Sequence, residues 1–214
     1  MARPVFMRVL RVALLLLPAL LAPPLAISAQ PPSKPQAAPL IQYSSTSAQP
    51  VIEYTLVHSL LVDNDPVPLL RVYGDGRVEV HRPVYMKNAG DFAMQLTPTE
   101  LNVLLQSLAT DGIMDFDAAT TRTERQQLDA QQRSLTGKLY AVSDATDTVI
   151  TVRLGAYRGS PAAPLLTNLQ QQLRWANLEQ DARRFPAADR LTRAAAGAQR
   201  LHALIRHPSL QRIP

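Results

Sequence analysis

The clearest pattern along the chain is an alternation of aliphatic and polar side chains over residues 69–81, interrupted once at residues 74–76. The sequence Gly-Asp-Gly at the interruption predicts a β-hairpin with a three-residue loop, because such loops end in a left-handed residue and glycine adopts that conformation without steric cost. This register pairs Val72 with Val78 and makes one face of the hairpin wholly aliphatic. A two-residue loop would set Val72 against Glu79 and mix the faces, so it is disfavoured.

The other face of the hairpin collects polar side chains. Arg71 lies across from Glu79 in the predicted register, and Tyr73 lies across from Arg77. Arginine and tyrosine are residue types that protein interfaces favour, although an ordinary solvated face would have the same composition. The candidate partner-binding residues are Arg71, Tyr73, Arg77, Glu79 and His81, with Tyr85 and Lys87 just beyond them.

Two further elements flank this hairpin. Residues 51–62 read as a strand, with Ile52, Tyr54, Leu56 and Leu60 on one face. Thr97-Pro98-Thr99-Glu100 predicts a helix start, because threonine caps, proline suits the first helical position and glutamate completes a capping box. Leucines at helical spacing follow, and Asp111-Gly112 is expected to end this helix.

A second hairpin is predicted over residues 137–154, with its turn at Ala145-Thr146. In this register Leu139 lies opposite Val152 on an apolar face. Residues 118–133, which precede the hairpin, are polar and rich in threonine, glutamine and arginine. They predict either an exposed loop or a short surface helix, and the composition favours a mobile excursion.

Helical spacing is the pattern of the C-terminal quarter of the chain. The first predicted helix begins at Pro164 and carries Leu165, Leu169, Leu173 and Ala176 on one face. The second carries an apolar stripe that ends at His207-Pro208, formed by Leu191, Ala194, Ala195, Ala198, Leu201 and Ile205.

Together these elements predict an α+β fold: a mainly antiparallel sheet of two hairpins plus one strand, covered by helices, with a C-terminal helical pair. The hairpin Leu-Arg-Val-Tyr-Gly-Asp-Gly-Arg-Val, followed by the helix start Leu-Thr-Pro-Thr-Glu-Leu, resembles small exported bacterial proteins of unknown function. In these a YGDGR-type hairpin precedes a helix and a second strand pair. The resemblance spans residues 51–154 and implies an α+β domain and export, but no catalytic residue.

The first 29 residues have the three-part pattern of a secretory signal peptide. Arg3, Arg8 and Arg11 precede an apolar run, and small residues then favour cleavage after Ser28 or Ala29 over retention as an uncleaved anchor. The chain contains no cysteine, so the signal is not that of a lipoprotein and no disulfide is expected. We therefore expect a periplasmic or secreted protein.

Composition then divides the rest of the chain. Residues 30–50 are rich in proline, serine and glutamine and predict a flexible linker. An α+β domain is expected over residues 51–158, with a C-terminal helical segment packed on or beside it over 159–214.

The net charge of the whole chain is +5, and three of its arginines lie in residues 1–29. Without that segment the net charge is +2, which gives little support for nucleic-acid binding.

No pattern predicts a catalytic site, a cofactor or a metal site. The chain has no Gly-x-Ser-x-Gly elbow and no cysteine nucleophile. A metal-assisted hydrolase that uses His58, His81 and a turn carboxylate such as Asp63 is an alternative, but a zinc site needs three or four protein ligands.

The C-terminal segment is rich in arginine: Arg183, Arg184, Arg190, Arg193, Arg200, Arg206 and Arg212. A basic amphipathic helix can lie on anionic lipid, so an envelope structural protein is a further alternative, with membrane contact only through this helix or the signal peptide.

The leading hypothesis is a non-enzymatic, exported interaction module that binds a protein partner in the cell envelope through the polar hairpin face.

Overall fold

The hairpin that the alternation predicts is present and forms part of a larger sheet. The structure, a computed structural model, describes residues 38–58, 65–137 and 145–214. Within these ranges the chain forms eight strands: β1 (Leu40–Gln42), β2 (Ile52–His58), β3 (Leu70–Val72), β4 (Arg77–Arg82), β5 (Gly90–Gln95), β6 (Thr146–Arg158), β7 (Leu166–Ala176) and β8 (Gln211–Arg212). It also forms four helices: α1 (Pro98–Thr110), α2 (Ala118–Thr136), α3 (Leu178–Arg184) and α4 (Asp189–Ile205).

All described strands join one antiparallel sheet. Its order is β1-β6-β2-β3-β4-β5-β8, and β7 pairs with the other side of β6. β6 is the longest strand, and β2 and β1 pair with successive parts of one of its edges. The predicted α+β architecture with a C-terminal helical pair, α3 and α4, is confirmed.

The β3–β4 hairpin has the predicted register. Val72 pairs with Val78, Arg71 with Glu79 and Leu70 with Val80. Gly76 has φ +89°, and a Cβ there would collide with the carbonyl oxygen of Leu96, so glycine is required at this position.

The core lies on one face of the sheet, between its aliphatic side chains and the helices. The inward residues of the β3–β4 hairpin are all buried and form one cluster with Leu101, Leu105 and Leu108 of α1. α1 starts at the predicted capping box of Thr97 and Glu100 and ends at Asp111. Every member of the predicted stripe of α4 is buried in the same cluster.

The first predicted C-terminal helix is wrong over residues 166–176, which form β7, and only its last part, α3, is helical. Leu169 and Leu173 are four residues apart, and this spacing places side chains on one face of a helix and also on one face of a strand. Trp175, two residues after Leu173, is buried on the same face, as only the strand period allows. The segment after residue 158 therefore contributes a strand to the sheet as well as helices.

The interpretation of residues 118–133 as a mobile excursion is also wrong. They belong to α2, which Asp117 caps by accepting hydrogen bonds from the backbone N–H groups of Ala119 and Thr120. Gly137 ends this helix in a left-handed conformation. The pattern of apolar positions did not indicate a helix here, because α2 has no apolar stripe and only Thr121 is buried.

The predicted second hairpin and the predicted linker both differ from the structure, because their residues pair with distant strands. In the second predicted hairpin Leu139 would pair with Val152, but Val152 pairs with Ile52 of β2 and Gln171 of β7, and residues 138–144 lie outside the described residues. The predicted linker 30–50 contains β1, which pairs with the end of β6. Its residues 30–37, like the predicted signal peptide, lie outside the described residues.

Candidate functional site

The polar sheet face, defined here as Glu53, Arg71, Arg77, Glu79 and Arg153, lies opposite the helices. Strand alternation sets this face, because each of these residues neighbours buried side chains that point to the core, such as Ile52 beside Glu53 and Val152 beside Arg153. The sheet order then brings β6, β2, β3 and β4 side by side. Five charges from four strands thus lie on one surface.

These charges alternate in sign across the strands. The Arg153 guanidinium donates a 2.6 Å hydrogen bond to Glu53, whose other oxygen lies 4.0 Å from Nε of Arg71. Nη1 of Arg71 lies 4.0 Å from Glu79, and Arg77 donates to the same carboxylate. Each glutamate is therefore shared between arginines, which holds the guanidinium groups in defined positions while their side chains remain 30–43% exposed.

Tyr73 lies on the same side of the sheet as these charges, across from Arg77. Only 8% of the residue is exposed, and its hydroxyl donates a 2.9 Å hydrogen bond to Glu79. The guanidinium carbon of Arg77 lies 3.7 Å from the centroid of its ring, a cation–π contact. Burial, and then the Glu79 carboxylate, raise the pKa of the Tyr73 hydroxyl. Tyr73 thus orients Glu79 and Arg77, and offers little surface of its own.

His81 lies between two carboxylates at the end of β4. Its Nδ1 is 2.6 Å from Asp91 Oδ1, and its Nε2 is 2.8 Å from Asp65 Oδ2. Burial works to lower the pKa of His81, but the hydrogen bonds to Asp91 and Asp65 outweigh it, so the pKa is raised. The backbone N–H of Val67, followed by His81, lowers the pKa of Asp65. This arrangement favours a doubly protonated imidazolium that links both carboxylates.

A groove of about 330 Å³ opens between His81 and the polar sheet face. Arg71, Glu79, His81 and Asp91 supply its charged wall, and Val67, Pro68 and Ile213 supply apolar contacts beside them. The groove therefore offers charged and apolar contacts together, as the surfaces that bind peptide segments do.

Tyr85 and Lys87 lie in the turn between β4 and β5 rather than on the polar sheet face. Tyr85 is 50% exposed and packs edge-to-face on His58, with ring centroids 6.1 Å apart. Val84 beside it is 94% exposed, and Lys87 is exposed. The predicted partner-binding residues thus separate into the sheet face with His81 and an exposed turn at the end of the sheet.

The two histidines of the metal alternative do not meet. His58 follows the alternation of Ile52 and Tyr54 toward the helices, whereas His81 shares the face of Arg71. His58 Nδ1 lies 3.0 Å from the Thr146 hydroxyl. Asp63 lies outside the described residues, and the residues that are described contain no group of three or more ligand side chains that could hold a metal ion.

The hairpin alone did not identify four charged members of this region: Glu53, Asp65, Asp91 and Arg153. The alternation in residues 51–62 places the side chain of Glu53 on the other face of the strand from Ile52, so the sequence does contain a signal for Glu53 on the polar face. The proximity of Glu53 and Arg153 to Arg71 depends on the order of β6, β2 and β3, which no local pattern contains.

The arginines of the C-terminal segment are mostly paired within the domain. Five lie within 4.0 Å of a carboxylate: Arg183, Arg184, Arg190, Arg193 and Arg200. The apolar stripe of α4 packs into the core, so this helix has no apolar face left to enter a lipid surface. Among the described helices, none has the length and apolar character that spanning a membrane requires.

The geometry of the polar sheet face is thus the main evidence on function. Comparisons of the chain with protein-family models, with curated proteins and with solved structures found no match.

Proposed function

We propose that this protein is an exported, non-enzymatic interaction module that binds a protein partner in the cell envelope through the polar sheet face. The observation that carries the proposal is that this face combines preorganised arginines with an open surface. Within the described ranges, every recorded partner of its five charged side chains lies on a strand or loop of the same sheet.

The arrangement suits recognition because it lowers the entropic cost of binding. An arginine side chain loses about 2 kcal/mol of rotamer freedom when it is fixed, and carboxylates that already hold it reduce the loss on association. Arg71 and Arg153 share Glu53, while Arg77 stacks on Tyr73. The alternating signs also favour a partner with a matching pattern and disfavour a uniformly charged one.

The adjacent groove gives the same surface an apolar component. Its apolar contacts lie beside His81 and Arg71, so one bound segment could bury an apolar side chain and pair with charges at once. Export supplies the setting: the pattern of residues 1–29 favours passage through a membrane and removal of the segment.

The test is a capture experiment from an envelope extract with two matched variants. Arg71→Ala combined with Arg77→Ala removes two guanidinium groups from the polar sheet face. Arg183→Ala combined with Arg206→Ala removes the same charge from exposed positions on α3 and at the end of α4. Quantitative mass spectrometry of the captured proteins compares both variants with the wild type.

We expect the first variant to lose a partner at least tenfold, since truncating an interface anchor costs more than about 1.4 kcal/mol, and the second to retain it. Identical captured proteins for all three would count against this face. Circular dichroism establishes that both variants are folded.

A further inference from the structure

The two ends of the sheet differ in how their edges are covered. At one end β8 pairs with Phe92 and Ala93 of β5, and the N–H of Ile213 donates to the carbonyl of Asp91. At the other end β7 runs for 11 residues, and in the part of the chain that the structure describes it pairs with β6 alone. A strand edge of this length presents a row of backbone donors and acceptors to an incoming strand.

The register identifies which backbone groups point outward. The N–H of Asn177 donates to Thr146 across the β6–β7 ladder, so odd-numbered residues of β7 bond toward β6 and even-numbered ones face away. Gln170, Gln172 and Arg174 are among the outward-facing residues, and their side chains are exposed.

Helix α2 approaches β7 from the core side. Gln171 donates a 2.9 Å hydrogen bond to the carbonyl of Phe116, just before α2, and Arg122 lies 5.7 Å from the Trp175 ring centroid. Gln171 and Trp175 share the face of the buried Leu173. α2 therefore packs on one face of β7 and does not take the place of a neighbouring strand.

The sequence of β7 is complementary to itself. Residues 169–173 read Leu-Gln-Gln-Gln-Leu, a palindrome centred on Gln171. Antiparallel pairing of two copies about this centre sets Gln170 against Gln172 and Leu169 against Leu173, with matching residues on the same face. Arg174, the one charged residue of β7, lies just outside this stretch, opposite Asn168 of the other copy. Asn168 has φ +52° and is skipped in the β6–β7 ladder, so regular pairing is limited to residues 169–173. Residues 169–173 contain no proline, no charged residue and no backbone irregularity, which are common protections of an edge strand.

We propose that two copies of this chain pair through their β7 edges, with the twofold axis at Gln171, to form one continuous antiparallel sheet. The outward-facing groups of Gln170 and Gln172 then bond to their counterparts, as an antiparallel edge requires. The axis is perpendicular to the sheet, so both polar sheet faces lie on the same side of the dimer. The proposal does not depend on the function proposed above.

Charge swapping at two exposed positions tests the pairing on the full chain. In one variant Gln170→Glu and Gln172→Glu set carboxylates against carboxylates across the axis; in a second, the same positions become Lys. We expect wild-type protein to have twice the protomer mass in sedimentation equilibrium, over a concentration series reaching about 100 μM. Each variant alone should have the mass of one protomer, because directly opposed like charges are unfavourable.

Mixing the two variants in equal amounts should restore the doubled mass, since each Glu then faces a Lys. A matched pair of changes at the other end of the sheet, Gln95→Glu with Gln211→Glu, should leave the wild-type mass unchanged. The proposal is overturned by a monomeric wild type, by dimers that persist in the Glu variant alone or in the Lys variant alone, or by an equal mixture of the two that remains monomeric.

Discussion

Single residues explain how the polar sheet face keeps its shape. Glu53 bridges Arg153 and Arg71 from its two neighbouring strands. Glu79 contacts Arg71 of β3 and Arg77 of its own strand, and it accepts a hydrogen bond from the Tyr73 hydroxyl. Isolated exposed ion pairs contribute little to stability, commonly below about 1 kcal/mol. The shared geometry of these carboxylates therefore serves mainly to position the guanidinium groups.

His81 makes stability depend on pH at the residue scale. The raised pKa of His81 means that its contribution is fully present below the pKa of the unfolded chain, 6.5, and is lost as the pH rises through the folded value. Asp65, whose pKa is lowered, contributes above its unfolded pKa and loses this as the pH falls. We expect the stability advantage of wild type over His81→Gln to be largest in mildly acidic solution and to shrink toward alkaline pH.

Urea unfolding of both proteins between about pH 5 and pH 9 measures this difference, over a range that spans the titration of histidine. Asp91→Asn, which keeps the imidazole but removes one of its carboxylates, should weaken the pH dependence. A constant difference between wild type and His81→Gln across the range would contradict the imidazolium bridge.

At the scale of elements, α2 is polar but well anchored. Its Arg125 lies 3.3 Å from Asp181 of α3, a carboxylate that is 7% exposed and accepts a hydrogen bond from the indole N–H of Trp175. Asp129 lies 3.9 Å from Arg184 of α3, and Glu124 lies 3.8 Å from Arg190 of α4, both beyond hydrogen-bond distance. The helix thus meets α3 and α4 through charged side chains, and Ala118 and Leu128 pack against the core.

Asp181→Ala tests this anchoring. Removing the carboxylate leaves the indole N–H and the Arg125 guanidinium without their buried acceptor, so we expect a loss of about 3–5 kcal/mol in the free energy of unfolding. Asp189→Ala is the matched control, because it removes an i,i+4 ion pair with Arg193 in which the Asp189 side chain is 75% exposed. It should change the free energy of unfolding by about 0.5 kcal/mol or less. Urea titration followed by the fluorescence of Trp175, the sole tryptophan, measures both. Equal losses would show that the buried contact is not special.

At the scale of the molecule, the C-terminal quarter is inseparable from the sheet. β7 extends along β6, and α4 supplies a buried face to the core. We expect a chain truncated after Arg158 to lose cooperative unfolding, because Leu173, Trp175 and Leu201 no longer cover the core.

A chain truncated after Arg206 is the control, since it lacks only β8, exposed residues around it and Leu210, which is partly buried against the core. It should retain a single cooperative transition by circular dichroism and protection from limited proteolysis. A cooperative fold of the shorter chain would instead support residues 51–158 as a domain of its own.

Local patterns predicted several elements of this protein for physical reasons. Strand alternation and the loop glycine together specify the register of the β3–β4 hairpin, because a shift by one residue would move Val72 and Val78 away from the core. The capping box starts α1, and a stripe with the helical period identifies α4. These features depend on neighbours within a few positions along the chain.

Tertiary structure alone decided the features that involve distant segments. The spacing of Leu169 and Leu173 is compatible with helix and strand, and only pairing with β6 resolves it. The order of strands brings Glu53 to Arg71 and Arg153 to Glu53. At His81 the effect of burial is outweighed by the hydrogen bonds to Asp91 and Asp65, which raise its pKa. The sequence by itself thus determined which side chains of the hairpin face the core and which face outward. What surrounds the outward ones was decided by the fold, because Glu53, which contacts Arg71, is in turn held by Arg153, 100 positions further along the chain.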